Sequence, residues 1–344
     1  MKNIKALLII LVSALAFLSS CEKVLMEKEL SDNAENNFKV LSEIIDEKYS
    51  YLELKNINWD SIVSVNKGKI SNKMNVLDEF KVYDEMLYAL KDGHVNINSG
   101  FDVSRNWEWF LGSPSNFNWN IIERNYLKDD YFISGGLKHR VLQLENDDSP
   151  AYGYVYYGSF SSSMTYIDFV KAYLNEFKAK GIIIDVRNNG GGYLKNAKKL
   201  ADHFADKKRL GYLEYYKVGP GHDEFSQRVE HYIEPKGETW NKPIVVLTNR
   251  KCYSATSFFV TMMKELPNVT VLGDKTGGGA GLPIDFTLPN GWYLRFSSTR
   301  AKNAENIDFE LGVEPHEYLN LDENDEINGE DTLIERAKEI IDSF

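Results

Sequence analysis

The chain has 344 residues and a formal net charge of -11. Its hydrophobic content of 43% and aromatic content of 13% are typical of a globular protein and exclude a largely disordered chain. Because no basic cluster accompanies the acidic balance, nucleic acid is not an expected partner. Any membrane contact would have to come from something other than a polybasic surface.

The first residues predict an export signal. Lys2 and Lys5 form a short basic region, and the apolar run over residues 6–18 is shorter than the roughly 20 residues of a membrane-spanning helix. The run ends at Leu18-Ser19-Ser20-Cys21, which resembles the lipobox of bacterial lipoproteins. The resemblance implies removal of residues 1–20, acylation of Cys21, and a membrane lipoprotein of the cell envelope, periplasmic or outer-membrane facing. An ordinary signal peptide is the alternative.

A tether and a small helical domain are predicted next. Residues 21–33 are mostly polar and predict a tether behind the lipid. Apolar side chains recur at helical spacing from Phe38 to Tyr49 and again from Phe80 to Leu90, which predicts an N-terminal helical domain over residues 34–95. Residues 96–150, rich in aromatic residues, Asn and Gly, predict an irregular, strand-rich segment.

Beyond residue 150 the pattern changes to alternating strands and helices. Apolar runs such as residues 181–186 are typical of strands that are buried on both faces. The alternation predicts an α/β domain over residues 151–344, with helices packed on a parallel or mixed sheet. The predicted strands span residues 152–160, 181–186, 244–248 and 269–272, and the predicted helices span residues 167–180, 194–205 and 254–266.

A run of three glycines, Gly190 to Gly192, follows the predicted strand at residues 181–186. The run leaves backbone N–H groups exposed at a helix N-terminus, where negative charge is stabilised. Neither GxxxxGK[ST] nor GxGxxG fits, so a phosphate site is not indicated. The segment therefore predicts either an oxyanion hole for acyl transfer or simply a tight turn.

Two further residues are candidates for chemistry. Ser254 comes shortly after the predicted strand at residues 244–248 and opens a predicted helix, where a serine is often only an N-cap. The GxSxG motif of α/β-hydrolases is absent, which argues against a lipase or esterase of that type. His94 ends the run Asp92-Gly93-His94, and a lone histidine can equally be structural. Taken alone, each residue is consistent with either a structural or a catalytic role.

Five segments together resemble the tail-specific, or C-terminal-processing, serine peptidases, including the core domain of the tricorn protease. The resemblance covers about residues 152–321 together with the His94 corner, and it implies a crotonase-like ββα superhelix for the catalytic domain. The interval between His94 and Tyr152 is too short for the PDZ domain that many relatives carry, so none is expected. The segments are Leu90 to His94, Gly181 to Gly192, Lys242 to Ser254, Val271 to Gly279, and Leu311 to Pro315 with the following His316.

The resemblance implies a serine peptidase that acts on a peptide or protein substrate. Ser254 matches the nucleophile of the family. The backbone amides of Ala255 and of one glycine in the run, for which we choose Gly191, would form the oxyanion hole. No cofactor is expected, and no metal, since HExxH and other ligand spacings are absent. No feature of the sequence indicates an oligomeric state.

The residue that activates the serine differs between branches of this family. The C-terminal-processing branch uses a lysine shortly after the Gly-Asp-Lys-Thr motif, but Gly279 occupies that position, and Lys275 belongs to the motif itself. The tricorn-like branch uses a histidine from the segment in which His94 lies. We therefore expect His94 to be the general base, since an unperturbed histidine titrates near pH 6.5.

An acidic residue just before the closing Gly-Val motif is expected to position the catalytic groups. Glu310 and Asp308 are both candidates, and Glu310 is preferred. Gly93 stands where the tricorn protease has a serine, so a complete tetrad of the tricorn type is not expected.

Two other classes of protein stay open. A non-catalytic peptide-binding lipoprotein could retain the fold, which the missing lysine favours and the presence of both Ser254 and His94 opposes. An acyl-CoA enzyme of the related crotonase fold is opposed by the predicted export, because coenzyme A is absent from the exported compartment.

Overall fold

The computed structural model describes residues 30–106, 112–143 and 151–344. The predicted export signal and Cys21 lie outside these residues. Across the described ranges, no helix combines the length and the apolar character that crossing a bilayer requires.

The described elements are a mixture of helices and strands. The helices are α1 (Ala34–Lys48), α2 (Trp59–Lys67), α3 (Val76–Tyr88), α4 (Trp119–Ile121, continued by the π-helical turn Ile122–Leu127), α5 (Ile167–Glu176), α6 (Leu194–Asp202), α7 (Ala255–Lys264), α8 (Glu323–Ile327) and α9 (Thr332–Asp342). The strands are β1 (Asn96–Asn98), β2 (Phe132–Ser134), β3 (Leu137–Leu142), β4 (Tyr152–Tyr157), β5 (Ile182–Asp185), β6 (Arg209–Tyr216), β7 (Val229–Ile233), β8 (Ile244–Thr248), β9 (Val269–Gly273), β10 (Pro283–Thr287), β11 (Tyr293–Ser297), β12 (Thr299–Lys302) and β13 (Glu317–Tyr318).

The N-terminal helices share a core with a hairpin from much later in the chain. Each of α1, α2 and α3 begins after an asparagine whose side chain accepts hydrogen bonds from the first turn. Strands β10 and β11 form the hairpin, and β1 pairs with β11. Trp292, Leu294 and Phe296 from this hairpin are buried among the apolar side chains of α1 and α3. The segment over residues 34–95 is therefore completed by residues 283–297.

A seven-stranded mixed sheet forms the centre of the α/β part, in the order β13-β9-β8-β5-β4-β3-β2. Neighbours from β13 to β4 pair in parallel, and β4, β3 and β2 pair antiparallel. Side chains of α5, α6 and α7 cover one face, and those of α9 cover the other. This double coverage explains the continuous apolar runs of β5 and β8, and the α/β architecture predicted from them is confirmed.

The sheet brings three sequence motifs to one edge. Strands β5, β8 and β9 are adjacent and parallel, so their carboxyl ends lie side by side. The loop after β5 carries the glycine run, the loop after β8 carries Ser254, and the loop after β9 carries Gly278. Binding sites in open α/β sheets form at this edge.

Candidate active site

The backbone of Ser254 is held in an unusual conformation. Its φ of 56° and ψ of -124° are rarely adopted by a residue with a Cβ, and they persist only where neighbours enforce them. The Ser254 N–H donates to the Gly278 carbonyl at 2.8 Å, and the Tyr253 N–H donates to the Asn189 carbonyl at 3.1 Å. The Ser254 side chain makes no capping hydrogen bond to α7, so Oγ is free of the N-cap role.

The histidine lies directly against this serine. His94 Nε2 is 3.0 Å from Ser254 Oγ, within the range of a nucleophile–base hydrogen bond. His94 is placed by a turn after α3, in which the Asp92 carboxylate accepts the His94 backbone N–H at 2.8 Å. Its ring centroid lies 5.0 Å from that of Tyr253. The structure thus brings together two candidates that are far apart in the chain.

The other ring nitrogen of His94 faces a hydroxyl group. Nδ1 lies 3.5 Å from Ser297 Oγ, which in turn donates to Asp92 Oδ2 at 3.1 Å. A hydrogen bond with the backbone of Gly281 also stabilises the protonated ring. Asp92 is therefore the carboxylate behind the histidine, a role that our sequence analysis did not assign to it. The Asp-x-His spacing was the available signal, because an aspartate readily binds the N–H two residues later.

Glu310, the acid expected from the sequence, makes no direct contact with His94 among the described hydrogen bonds and ion pairs. Its Oε1 is 2.8 Å from Lys55 Nζ, and its Oε2 accepts the Ala280 N–H at 2.7 Å. Lys55 Nζ is also 3.6 Å from Asp92 Oδ2. The described contacts therefore join Glu310 to His94 through Lys55 and Asp92.

The two alternative candidates are engaged in other ion pairs. Asp308 Oδ1 is 2.6 Å from the Arg300 guanidinium. Lys275 Nζ is 2.8 Å from Glu314 Oε1. Neither pairing involves Ser254 or His94.

Both residues expected to form the oxyanion hole lie beside the nucleophile. Ala255 is the first residue of α7, so its N–H has no acceptor within the helix. A Cβ added to Gly191 would lie 3.0 Å from the Ala255 nitrogen and 2.8 Å from Ser254 Cβ. The Gly191 N–H donates to Asn189 Oδ1 at 2.9 Å. A substrate oxyanion could take this N–H only in competition with Asn189.

The protonation of His94 depends on its surroundings. Burial lowers the pKa of His94 below its ordinary value near 6.5, the Asp92 carboxylate raises it, and Arg295 and Lys55 lower it further. The net direction is downward. A lowered pKa favours the neutral form of His94 at neutral pH.

This direction predicts the pH dependence of the reaction. If His94 is the base, a lowered histidine pKa keeps it unprotonated to lower pH, so kcat/KM should decline at a lower pH than an ordinary histidine would cause. The midpoint of the acid limb is expected below the ordinary histidine value. The measurement is kcat/KM against pH in constant-ionic-strength buffers, and a midpoint clearly above that value would contradict the assignment.

Adding a single methyl group at Gly191 is expected to lower both activity and stability. Its φ is 103°, and an added Cβ would also lie 2.7 Å from the Tyr253 carbonyl oxygen. Gly191→Ala should therefore displace the nucleophile segment and lower kcat by about 10²-fold, with a loss of about 1–3 kcal/mol in unfolding free energy. Gly190→Ala is the matched control, because its added Cβ would meet nothing within 4 Å. Equal activity of both variants would count against a tight Gly191–Ser254 contact.

Known proteins resemble this chain in sequence and in fold. The model of peptidase family S41 matches residues 151–319. A crystal structure from Parabacteroides merdae ATCC 43184, described as that of a candidate peptidase, shares 39% sequence identity, with a TM-score of 0.84 over 90% of this chain and 97% of that chain.

Two curated relatives match shorter stretches. Carboxy-terminal processing protease CtpB of Bacillus subtilis is 29% identical over 160 residues, which are 41% of this chain and 31% of that protein. A tricorn protease homolog of Saccharolobus solfataricus is 25% identical over 181 residues, which are 51% of this chain and 15% of that protein. The chain thus aligns with less than a third of the length of either relative.

The family match contains Ser254, the glycine run and Glu310, whereas His94, Asp92 and Lys55 precede it. The predicted fold class is confirmed as the mixed α/β fold of this family, and no PDZ domain is found in the part of the chain that the structure describes. The predicted family resemblance is likewise confirmed, and the chain belongs to peptidase family S41.

Proposed function

We propose that this chain is a serine peptidase that cleaves peptide bonds by acyl transfer through Ser254, with His94 as the general base. The observation that carries the proposal is the 3.0 Å contact between Ser254 Oγ and His94 Nε2, on a backbone held in a strained conformation. A serine hydroxyl is a weak nucleophile on its own, and an adjacent base activates it.

The proposed reaction begins as Ser254 Oγ attacks the carbonyl carbon of a substrate peptide bond, while His94 Nε2 accepts the hydroxyl proton. The developing oxyanion lies at the N-terminus of α7, where the Ala255 N–H and the helix dipole favour negative charge. His94 then donates the proton to the leaving amine, which leaves an acyl-enzyme. Water attacks the ester with His94 again as base, which releases the carboxylate product and restores Ser254.

The proposed role of Asp92 is to stabilise the positive charge that His94 acquires. Burial alone would raise the pKa of Asp92, but Lys55, His94 and hydrogen bonds lower it to about 2. Those hydrogen bonds come from the His94 N–H and from the hydroxyls of Tyr49, Tyr253 and Ser297. Asp92 therefore stays ionised at neutral pH and can act as the counter-charge, as the aspartate of a catalytic triad does.

A test of the proposed activity is digestion of an unfolded protein such as reduced casein, with cleavage sites identified by mass spectrometry. Wild type should produce new termini, and Ser254→Ala should produce none. If folded wild type cleaved neither casein nor a mixed peptide library, the non-catalytic peptide-binding alternative would be favoured.

We also propose that the chain is a lipoprotein of the cell envelope, attached through Cys21. The support is the basic start, the apolar run and the lipobox-like Leu18 to Cys21. In cells fed an alkyne-tagged fatty acid, the wild-type chain should carry the tag and sediment with membranes, whereas Cys21→Ser should carry none. Equal tagging of the two chains would contradict the proposal.

A further inference from the structure

A lysine from the segment between α1 and α2 lies beneath the catalytic histidine. The Lys55 side chain is 6% exposed, and its ammonium lies 2.8 Å from Glu310 Oε1 and 3.6 Å from Asp92 Oδ2. It also donates to the Tyr49 hydroxyl at 2.9 Å. Lys55 precedes the segment that matches the family, so the family match assigns it no role.

The carboxylates of Asp92 and Glu310 differ in their hydrogen-bond partners. Asp92 and Glu310 side chains are 0% and 2% exposed. Asp92 accepts hydrogen bonds from Tyr49, Tyr253 and Ser297 as well as from backbone, whereas the described partners of Glu310 are Lys55 and the Ala280 N–H. Two buried like charges are strongly unfavourable without a cation between them. Burial raises the pKa of Glu310 to about 7, although Lys55 lowers it. When Glu310 is ionised, the two carboxylates and the ammonium leave one net negative charge behind His94.

We propose that Lys55 is a positioning residue for the reaction: its ammonium holds the Asp92 and Glu310 carboxyl groups together behind His94. The inference rests on the proposed peptidase function. Lys55 contacts neither His94 nor Ser254 in the described hydrogen bonds and ion pairs, so it acts through Asp92. The N-terminal helical segment would thereby supply both the base and the cation that sets its counter-charge.

The charge of Lys55 also lowers the pKa of His94, although the two side chains share no described hydrogen bond. Titratable groups reach the histidine from several elements, and of the charged ones Asp92 raises the pKa of His94, whereas Arg295 and Lys55 lower it. Removal of the Lys55 charge should therefore move the acid limb of the reaction to higher pH. The groups are Asp92 on the same turn, Arg295 on β11, Tyr253 before α7, and the Lys55, Tyr49 and Glu310 side chains below.

The test is the rate at which a fluorophosphonate probe labels the purified chain, measured as a function of pH, because it needs no identified substrate. Lys55→Met should slow labelling by about 10–100-fold, since Asp92 and Glu310 move apart, and should shift the acid limb upward. The double variant Lys55→Met/Glu310→Gln leaves Asp92 as the single negative charge. Because Glu310 has a raised pKa that loss of Lys55 raises further, the comparison is made at alkaline pH, where Glu310 of the single variant ionises. There the double variant should label about tenfold faster than Lys55→Met, because the like-charge repulsion is gone.

The matched control is Lys69→Met. Lys69 lies in the same helical segment and pairs with Glu85 at 2.7 Å, but these side chains are 46% and 63% exposed. Exposed pairs contribute little, so its labelling rate and pH profile should equal those of wild type.

Wild-type kinetics in Lys55→Met, or no recovery in the double variant, would overturn the inference. If Lys55→Met does not fold, the double variant decides alone: a folded, labelled double variant supports charge matching, and an unfolded one overturns it. A different result would contradict the proposed peptidase function, namely no labelling of folded wild type. The inference about Lys55 would then be contradicted too, because it rests on that function.

Discussion

Replacement of Ser254 by alanine is expected to lower kcat by about 10⁴–10⁶-fold, the largest effect of any single substitution in this chain. The reason is that no other group in the site can form the acyl-enzyme, while His94 Nε2 loses only one hydrogen bond at 3.0 Å. The free energy of unfolding should therefore change by no more than about 1 kcal/mol. Steady-state kinetics and urea denaturation of the same preparation measure both quantities.

Combining Ser254→Ala with His94→Ala tests whether the two residues act in the same step. Because serine and histidine act as a unit, the double variant Ser254→Ala/His94→Ala should be no less active than either single variant. Ser163→Ala, at an exposed serine elsewhere in the chain, is the control and should retain full activity. A further large loss in the double variant would mean that the two residues do not act in one step.

The second large effect is expected on stability, at Arg187. Its guanidinium is fully buried, lying 2.6 Å from Asp185 Oδ2 and 3.0 Å from Asp331 Oδ2, and donating to the Asn116 carbonyl at 3.1 Å. Arg187→Met leaves two buried carboxylates without a cation, which should cost about 3–5 kcal/mol of unfolding free energy. Because Arg187 immediately precedes the loop with the glycine run, activity should fall as well.

Arg336→Met is the matched control for this prediction. Arg336 pairs with Glu317 at 2.8 Å, but these side chains are 41% and 38% exposed, so its loss should cost less than about 1 kcal/mol. Urea denaturation of the two variants compares buried and exposed pairs directly. Equal losses would show that the buried network contributes no more than a surface pair.

The central strands were predictable because burial on both faces leaves a simple pattern. Strand β8 has the predicted bounds of residues 244–248, and β5 lies within the predicted residues 181–186. The helices of the structure are shorter at their ends than the predicted helices. For example, α7 begins at Ala255, because the positive φ of Ser254 is incompatible with a right-handed helix.

Elements with weaker patterns were not predicted. Helix α2 is short and buries Trp59, but Val65 on the same helix is 67% exposed, so its apolar periodicity is weak. Strand β10 is largely exposed, with no fully buried residue. Its pairing with β11, and the packing of that hairpin on α1, are long-range contacts that local sequence spacing does not encode.

The proximity of the two candidate residues was predictable, and the groups that surround them were not. Ser254 and His94 were found through family motifs, but the acid preferred from the sequence, Glu310, lies behind Lys55. Ser297 supplies a hydroxyl near His94 Nδ1 that Gly93 could not provide, and it comes from β11. Such positions depend on which distant strand and turn pack together, so residue spacing alone does not reveal them.

The most direct test of the central claim is labelling by a fluorophosphonate probe, which reacts with an activated serine, in wild type, Ser254→Ala and His94→Ala. The probe should attach to Ser254 in wild type, located by mass spectrometry, and neither variant should be labelled at a comparable rate. Labelling at the full rate in His94→Ala would contradict His94 as the base, and labelling elsewhere than Ser254 would contradict the nucleophile itself.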